Sequence, residues 1–266
     1  MSKNLRNLSK FANYLADEGR KISLSYFKKK IEIISKNKKD FDPVTIADIR
    51  IQKKLHKLIE KRYPEHSMLG EEESIIKDSN YEWCIDPIDG TKSFIQGVPL
   101  WGTLISLSKN NKVILGIADI PALDERYVGY GNIAYKIVKN KRSLLKVRKG
   151  VDLEESILNT TSPYVFANKS DQNKFEKVAK LAKSTRLGGD CYSYCLLADG
   201  HVDLVIESGL KPYDIRALAP IIKNAGGILK TWEGESIQQG GRIIATTSKN
   251  LYRQCQKILL KKNPAK

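Results

Sequence analysis

The sequence predicts a layered, mixed α/β (α+β) fold, on three observations. Segments with helical spacing alternate with apolar runs of strand length along the whole chain. In the first half two strands meet at a hairpin-type turn, Lys109-Asn110-Asn111-Lys112. In the second half strands and helices interleave. Hairpins combined with interleaved helices favour stacked layers over a simple doubly wound sheet.

The elements follow in order. Leu5, Leu8, Ala12, Leu15, Gly19, Ile22 and Tyr26 recur at three- and four-residue steps and predict a helix over 4–28. A strand is expected at 31–35. Thr45 opens a helix over 45–62, stopped by Pro64, with Ile51, Leu55, Leu58 and Ile59 as its apolar stripe. Strands follow at 83–86, 101–108, 113–120, 125–130 and 133–139. The polar, basic stretch 141–156 reads as a linker. Beyond it the pattern gives a strand at 157–161, helices at 171–184 and 191–199, and a strand at 202–207. A helix over 213–225 is closed by Gly226-Gly227. A strand, a turn at Glu233-Gly234, a strand at 242–247 and a helix at 250–261 complete the set.

The 266 residues suffice for one large domain or two coupled halves, and 41% of them are hydrophobic. No stretch reaches the roughly 18 consecutive apolar residues of a membrane helix, so no membrane partner is expected. The N-terminus shows no apolar signal core, which favours a cytoplasmic location. Cys84, Cys191, Cys195 and Cys255 are too few and too irregular for a disulfide framework and read as reduced thiols. A formal net charge of +16 raises nucleic-acid binding. The lysines are scattered, however, and the dense runs Lys28–Lys30 and Lys36 to Lys39 lack interleaved aromatics. Solvated faces, with a general pull on anionic substrates, account for the charge.

The chemistry concentrates in Trp83-Cys84-Ile85-Asp86-Pro87-Ile88-Asp89-Gly90-Thr91. An apolar strand ends in two aspartates, Pro87 stiffens the backbone between them, and Gly90 permits a sharp turn. Carboxylates that close repel unless a cation lies between them, and hard oxygen ligands suit Mg²⁺ or Mn²⁺. The alternative is a turn whose aspartates cap backbone amides. Three further acidic segments accompany it: Gly70-Glu71-Glu72-Glu73, the Thr45/Asp48 pair in capping-box spacing after Asp42, and Asp214 opening a helix after Lys211-Pro212. His56, His66 and His201 fall outside these segments and read as surface residues.

In this order the four segments resemble the inositol monophosphatase family, over Asp42 to about Thr247. Within it, Lys92-Ser93-Phe94-Ile95, Gly97 to Ile105, Gly188-Gly189-Asp190-Cys191-Tyr192, Val202-Asp203-Leu204-Val205 and Leu210 to Ile215 are most similar to the bacterial histidinol-phosphatase branch. The resemblance implies a five-layered αβαβα sandwich, with a metal- and phosphate-binding half over 1–145 and a second half over 146–266. It implies a Mg²⁺-dependent phosphomonoesterase, usually a homodimer, using two to three ions. Glu71, Asp86 and the Ile88 carbonyl would hold one metal; Asp86, Asp89 and Asp214 a second; Glu71 would share a third. Thr91 would contact the attacking water, Asp48 would take a proton from the Thr91 hydroxyl, and the Gly90 and Thr91 N–H groups would cradle phosphate.

Glu207, seven residues before Asp214, and Asp190 would meet a cationic amine such as that of histidinol phosphate; alternatively Glu207 ends a strand in solvent and Asp190 caps a helix. Inositol-1-phosphate and 3′-phosphoadenosine phosphates are the other substrates the family offers. Outside the enzyme class stands a basic RNA-associated protein on the same scaffold. Tyr213 stands where the family commonly has Trp, and the resemblance gives Arg216 no role.

Overall fold

The computed structural model describes residues 3–30, 33–35 and 43–261. The first elements are α1 (Lys3–Tyr26), the short antiparallel pair β1 (Ile33–Ser35) and β2 (Pro43–Thr45), and α2 (Ile46–Arg62). Residues 31 and 32 of the expected first strand, Asp42 and the run from Lys36 to Lys39 lie outside the described residues. Next come β3 (Ser67–Gly70), β4 (Tyr81–Asp89), α3 (Thr91–Gln96), β5 (Gly102–Lys109), β6 (Lys112–Ile120), β7 (Glu125–Tyr130), β8 (Ile133–Val138) and β9 (Lys141–Leu144). Then follow β10 (Ile157–Thr160), α4 (Lys169–Leu181), β11 (Ser184–Leu187), α5 (Asp190–Ala198), β12 (Leu204–Leu210) and α6 (Pro212–Ile215). The last are α7 (Leu218–Asn224), β13 (Ile228–Thr231), β14 (Gly241–Thr246) and α8 (Lys249–Leu259).

Strands β3 to β9 form one sheet in chain order, with only β3 and β4 parallel. A second sheet has the order β11-β10-β12-β14-β13. Side-chain alternation along the strands shows how they stack. In β5, Leu104 points to one core and Ile105 and Leu107 to another. In β12 and β14, Val205, Ile243 and Ala245 share the core of Leu104, while Leu204, Ile206 and Ile244 face away. Helices α1 and α2 cover the outer face of the first sheet through Leu8, Leu15, Ile51 and Leu55. Helices α5 and α7 fill the space between the sheets, and α4 and α8 cover the outer face of the second. The result is five layers, α/β/α/β/α, as the family resemblance implies. Burial on both faces is why the inner strands read as continuous apolar runs.

Several elements differ from expectation for physical reasons. The start of the supposed linker is β9, an edge strand whose four residues are all exposed; charged edge strands resist further pairing and so read as loop. Likewise β11 is a short exposed edge, and β3 is a four-residue edge beside β4. The helix expected over 213–225 is two helices. Pro220 has no N–H to return to the Arg216 carbonyl, which instead accepts from the Ala219 N–H at 3.3 Å. His56 and His66, expected at the surface, are buried. His66 stacks between Tyr63 and Tyr81, and its Nδ1 accepts from Trp83 Nε1 at 3.1 Å. All four cysteines are free and buried.

Helix α7 approaches the first sheet through two facing glycines, Gly116 on β6 and Gly129 on β7. A Cβ on Gly116 would stand 1.9 Å from the Ala217 carbonyl oxygen, and one on Gly129 2.4 Å from the Ile221 nitrogen. Gly116→Ala therefore forces backbone apart. We expect a loss of about 3 kcal/mol, at the upper end of the overpacking range, read as a lowered Tm in thermal unfolding. A Tm unchanged from that of the wild type would contradict this packing.

Candidate active site

The site grows from an irregularity in β4. Asp86 pairs with Leu104 of β5, but Asp89 pairs with Gly102, so three steps on β4 oppose two on β5. Residues three apart on a regular strand face opposite sides; the extra residue returns Asp89 to the side of Asp86. Pro87, which cannot donate to a ladder, sits in this bulge, where proline is tolerated. Its carbonyl accepts from the Thr103 hydroxyl at 2.8 Å. The chain then turns at Gly90, whose φ of +82° favours glycine. There a Cβ would also stand 3.0 Å from the Asp190 carboxylate.

The second sheet delivers Asp214 by a similar device. Between Glu207 and Leu210 another shift in register ends β12, and α6 begins at Pro212. Asp214 accepts the Lys211 N–H at 2.6 Å, closing the first turn of α6. Asp86, Asp89 and Asp214 then offer oxygens within 4.8 Å of one another. A second group, Asp48, Glu71 and Glu72, converges equally closely. Its loop is held on α2 by Gln52, whose amide accepts from the Glu72 N–H at 3.0 Å and donates to the Glu73 carbonyl at 2.8 Å.

Burial raises the pKa of Asp86 well above the usual carboxylate range, helped by the charges of Glu71, Asp89 and Asp214. Asp89 is raised in the same way, by burial and then by Asp190 and Asp214. Burial likewise brings Asp214 to about 7. Asp86 is 2% exposed, and its Oδ1 has no hydrogen-bond partner. Ionised acids this close, with an orphaned oxygen among them, are what a hard divalent cation would relieve. The donor set therefore fits Mg²⁺ or Mn²⁺.

Other residues singled out in the sequence fall around the same cleft of about 410 Å³, which Glu71, Asp86, Ile88, Asp89, Gly90, Thr91, Asp190, Glu207 and Asp214 line. Thr91 donates its hydroxyl to the Ile88 carbonyl at 2.9 Å rather than to Asp48. Asp48 is buried on α2: one oxygen accepts the Thr45 N–H at 2.8 Å and the Thr45 hydroxyl at 2.6 Å, and Oδ1 has no partner. The capping box thus exists and leaves one oxygen over. Burial raises Asp48 to about 7.

Glu207 does not end in solvent. It is buried, accepts from the Thr161 N–H at 2.7 Å and the Tyr194 hydroxyl at 3.0 Å, and is raised by burial to about 7. Asp190 is not the cap of α5, since Gly189 holds that position. Its carboxylate accepts from the Ser93 hydroxyl at 3.1 Å, and the next residue's N–H, that of Cys191, reaches Asp89 at 2.7 Å. The three histidines take no part.

Sequence reasoning missed Glu72, Gln52 and the pair Thr161 and Tyr194. Three glutamates in a row do not say which turn inward. Gln52 lies one helical turn after Asp48, a spacing that could have pointed to it.

Comparison with known proteins agrees with this architecture. The family model described as "Inositol monophosphatase family" matches residues 4–262. The chain is 42% identical over 234 residues to "Bifunctional phosphatase IMPL2, chloroplastic" of Arabidopsis thaliana, covering 86% of this chain and 66% of that protein, so it spans slightly less than two thirds of that relative. It is 32% identical over 212 residues to the "Histidinol-phosphatase" of Mycobacterium tuberculosis, covering 79% and 82% of the two chains. The solved structure of an inositol monophosphatase from Zymomonas mobilis superposes with a TM-score of 0.86 at 34% identity, over 97% of this chain and 99% of that one. On both sequence and architecture, this chain belongs to the inositol monophosphatase family.

Proposed function

We propose that this chain is a Mg²⁺-dependent phosphomonoesterase that converts L-histidinol phosphate and water to L-histidinol and phosphate. The observation that carries the reading is one cleft with two chemistries: clustered carboxylates at its floor and the buried acid Glu207 on its wall. Glu71, Asp86, the Ile88 carbonyl, Asp89 and Asp214 would hold two to three Mg²⁺ ions, with Mn²⁺ as a substitute. When bound, such cations offset the charge of the phosphate dianion and make water more acidic.

The remaining work falls to the chain itself. Gly90 and Thr91, where the chain turns into α3, line the cleft, and their N–H groups would donate to phosphate oxygens. The Thr91 hydroxyl would rotate off the Ile88 carbonyl and orient the attacking water together with Glu71. Asp48, with its spare oxygen, would accept the proton. Glu207 and Asp190 would meet the substrate's ammonium group as charged hydrogen-bond acceptors; inositol, a neutral polyol, could donate its hydroxyls to them but would form no ion pair. The name of the Mycobacterium relative supports the same substrate. A homodimer in a reducing, cytoplasmic compartment belongs to this reading, and the four free thiols are in keeping with it.

Chelation of divalent cations should abolish phosphate release, and added Mg²⁺ should restore it. Asp89→Asn should lower kcat by about 10³-fold or more, the scale of several kcal/mol of transition-state stabilisation, with an unchanged circular dichroism spectrum. Turnover surviving in that variant would break the metal assignment. On a panel with inositol-1-phosphate and 3′-phosphoadenosine-5′-phosphate, histidinol phosphate should lead in kcat/KM by at least about tenfold, or roughly 1.4 kcal/mol; a smaller margin would reject it as the preferred substrate. Glu207→Gln should raise KM for histidinol phosphate about 10- to 100-fold, the worth of one charged hydrogen bond. Glu207 is ionised above its pKa of about 7, so the gap between wild type and variant should widen as pH rises through that value. A gap independent of pH would count against Glu207 as the amine's partner.

A further inference from the structure

We propose that Arg216 is a positioning residue that fixes the distance between Asp214 and the Asp86–Asp89 pair, and thereby sets how tightly the carboxylate cluster binds its divalent cation. The inference rests on the metal-site reading above. Arg216 follows Asp214 by two residues and caps α6. It is 7% exposed. Its Nη1 donates to Glu82 at 2.5 Å, and its Nε donates to the Gln238 carbonyl at 2.9 Å. Glu82 stands on β4 four residues before Asp86, so the period of two puts Glu82, Cys84 and Asp86 on one face of the strand. A single ion pair therefore ties the strand bearing Asp86 and Asp89 to the helix bearing Asp214, across 134 residues of chain.

This tie sets a specific geometry. The carboxylates of Asp86, Asp89 and Asp214 offer oxygens within 4.8 Å of one another, so their spacing depends on how α6 is held against β4. The glycine pair seats Ala217 and Ile221 against the first sheet, and Arg216, the residue before Ala217, ties the α6 side of the segment to β4. Arginine suits the task because its planar fork serves two partners in fixed directions, whereas a lysine ammonium would serve Glu82 without the same hold on Gln238. Partial burial of the pair keeps it from being screened as a surface pair would be.

The test is Mn²⁺ binding to the metal-free full chain, followed by calorimetry and by electron paramagnetic resonance, with no turnover involved. Arg216→Met should weaken Mn²⁺ binding about tenfold, the lower end of what outer partners of metal ligands contribute. Glu82→Gln, at the more exposed end of the pair, should weaken it similarly, and the double variant should be no worse than the weaker single one, because both remove the same tie. Arg216→Lys should fall between wild type and Arg216→Met. Should Arg216→Met fail to fold, Glu82→Gln decides alone. Folded variants with a lowered Tm and a Kd for Mn²⁺ within about twofold of wild type would make the pair merely structural and overturn the proposal. A wild-type chain that binds no Mn²⁺ would instead overturn the metal-site reading, and this inference with it.

Discussion

The bulge at Pro87 and Ile88 is the constraint on which the site depends. Without the extra residue in β4, Asp86 and Asp89 would face opposite cores, and one carboxylate would be driven into the apolar layer under α1 and α2. With it, both open toward the second sheet. Everything else converges on that spot: the turn at Gly90, the α5 amide that reaches Asp89, and the short helix that brings Asp214. The cost is several acids in a poorly solvated space, each disfavouring the ionisation of the next. Such an arrangement persists only where other packing holds it, and here the five-layered core does so.

The overall charge and the local charge have opposite signs. The chain carries +16, yet the cleft is lined with carboxylates. Long-range attraction of a phosphate monoester belongs to the whole surface and is screened over about 8 Å at physiological ionic strength. Capture at close range belongs to whatever offsets the acids. On the proposed function, the scattered lysines and the acidic cleft would serve different stages of one encounter.

Much of this was legible in the sequence. The aspartates flanking Pro87-Ile88 and the acid after Lys211-Pro212 carry their chemistry in their immediate neighbours, and apolar periodicity reveals long buried elements such as α1, α2, β5 and β6. What escaped depends on distant neighbours or on weak pattern. Edge strands β3, β9 and β11 are too short, or too polar, to alternate. The break before α7 was written in Pro220 but hidden by the apolar residues around it. Arg216 had no readable role because its partners, Glu82 and Gln238, come from remote parts of the chain. Glu207 read equally well as solvent or site, since only the fold brings Thr161 and Tyr194 to it.

The layer between the two sheets has one more consequence. Leu104, Ala118 and Tyr127 of the first sheet share a continuous core with Val205, Ile243 and Ala245 of the second, through Cys195 and Ile221. Swinging the sheets apart would expose that core to water, at a cost of about 25 cal/mol for each Å² of apolar surface. The cleft is therefore a standing gap between rigid walls rather than a jaw. Molecules would enter and leave by its open side, without any swing of one sheet on the other.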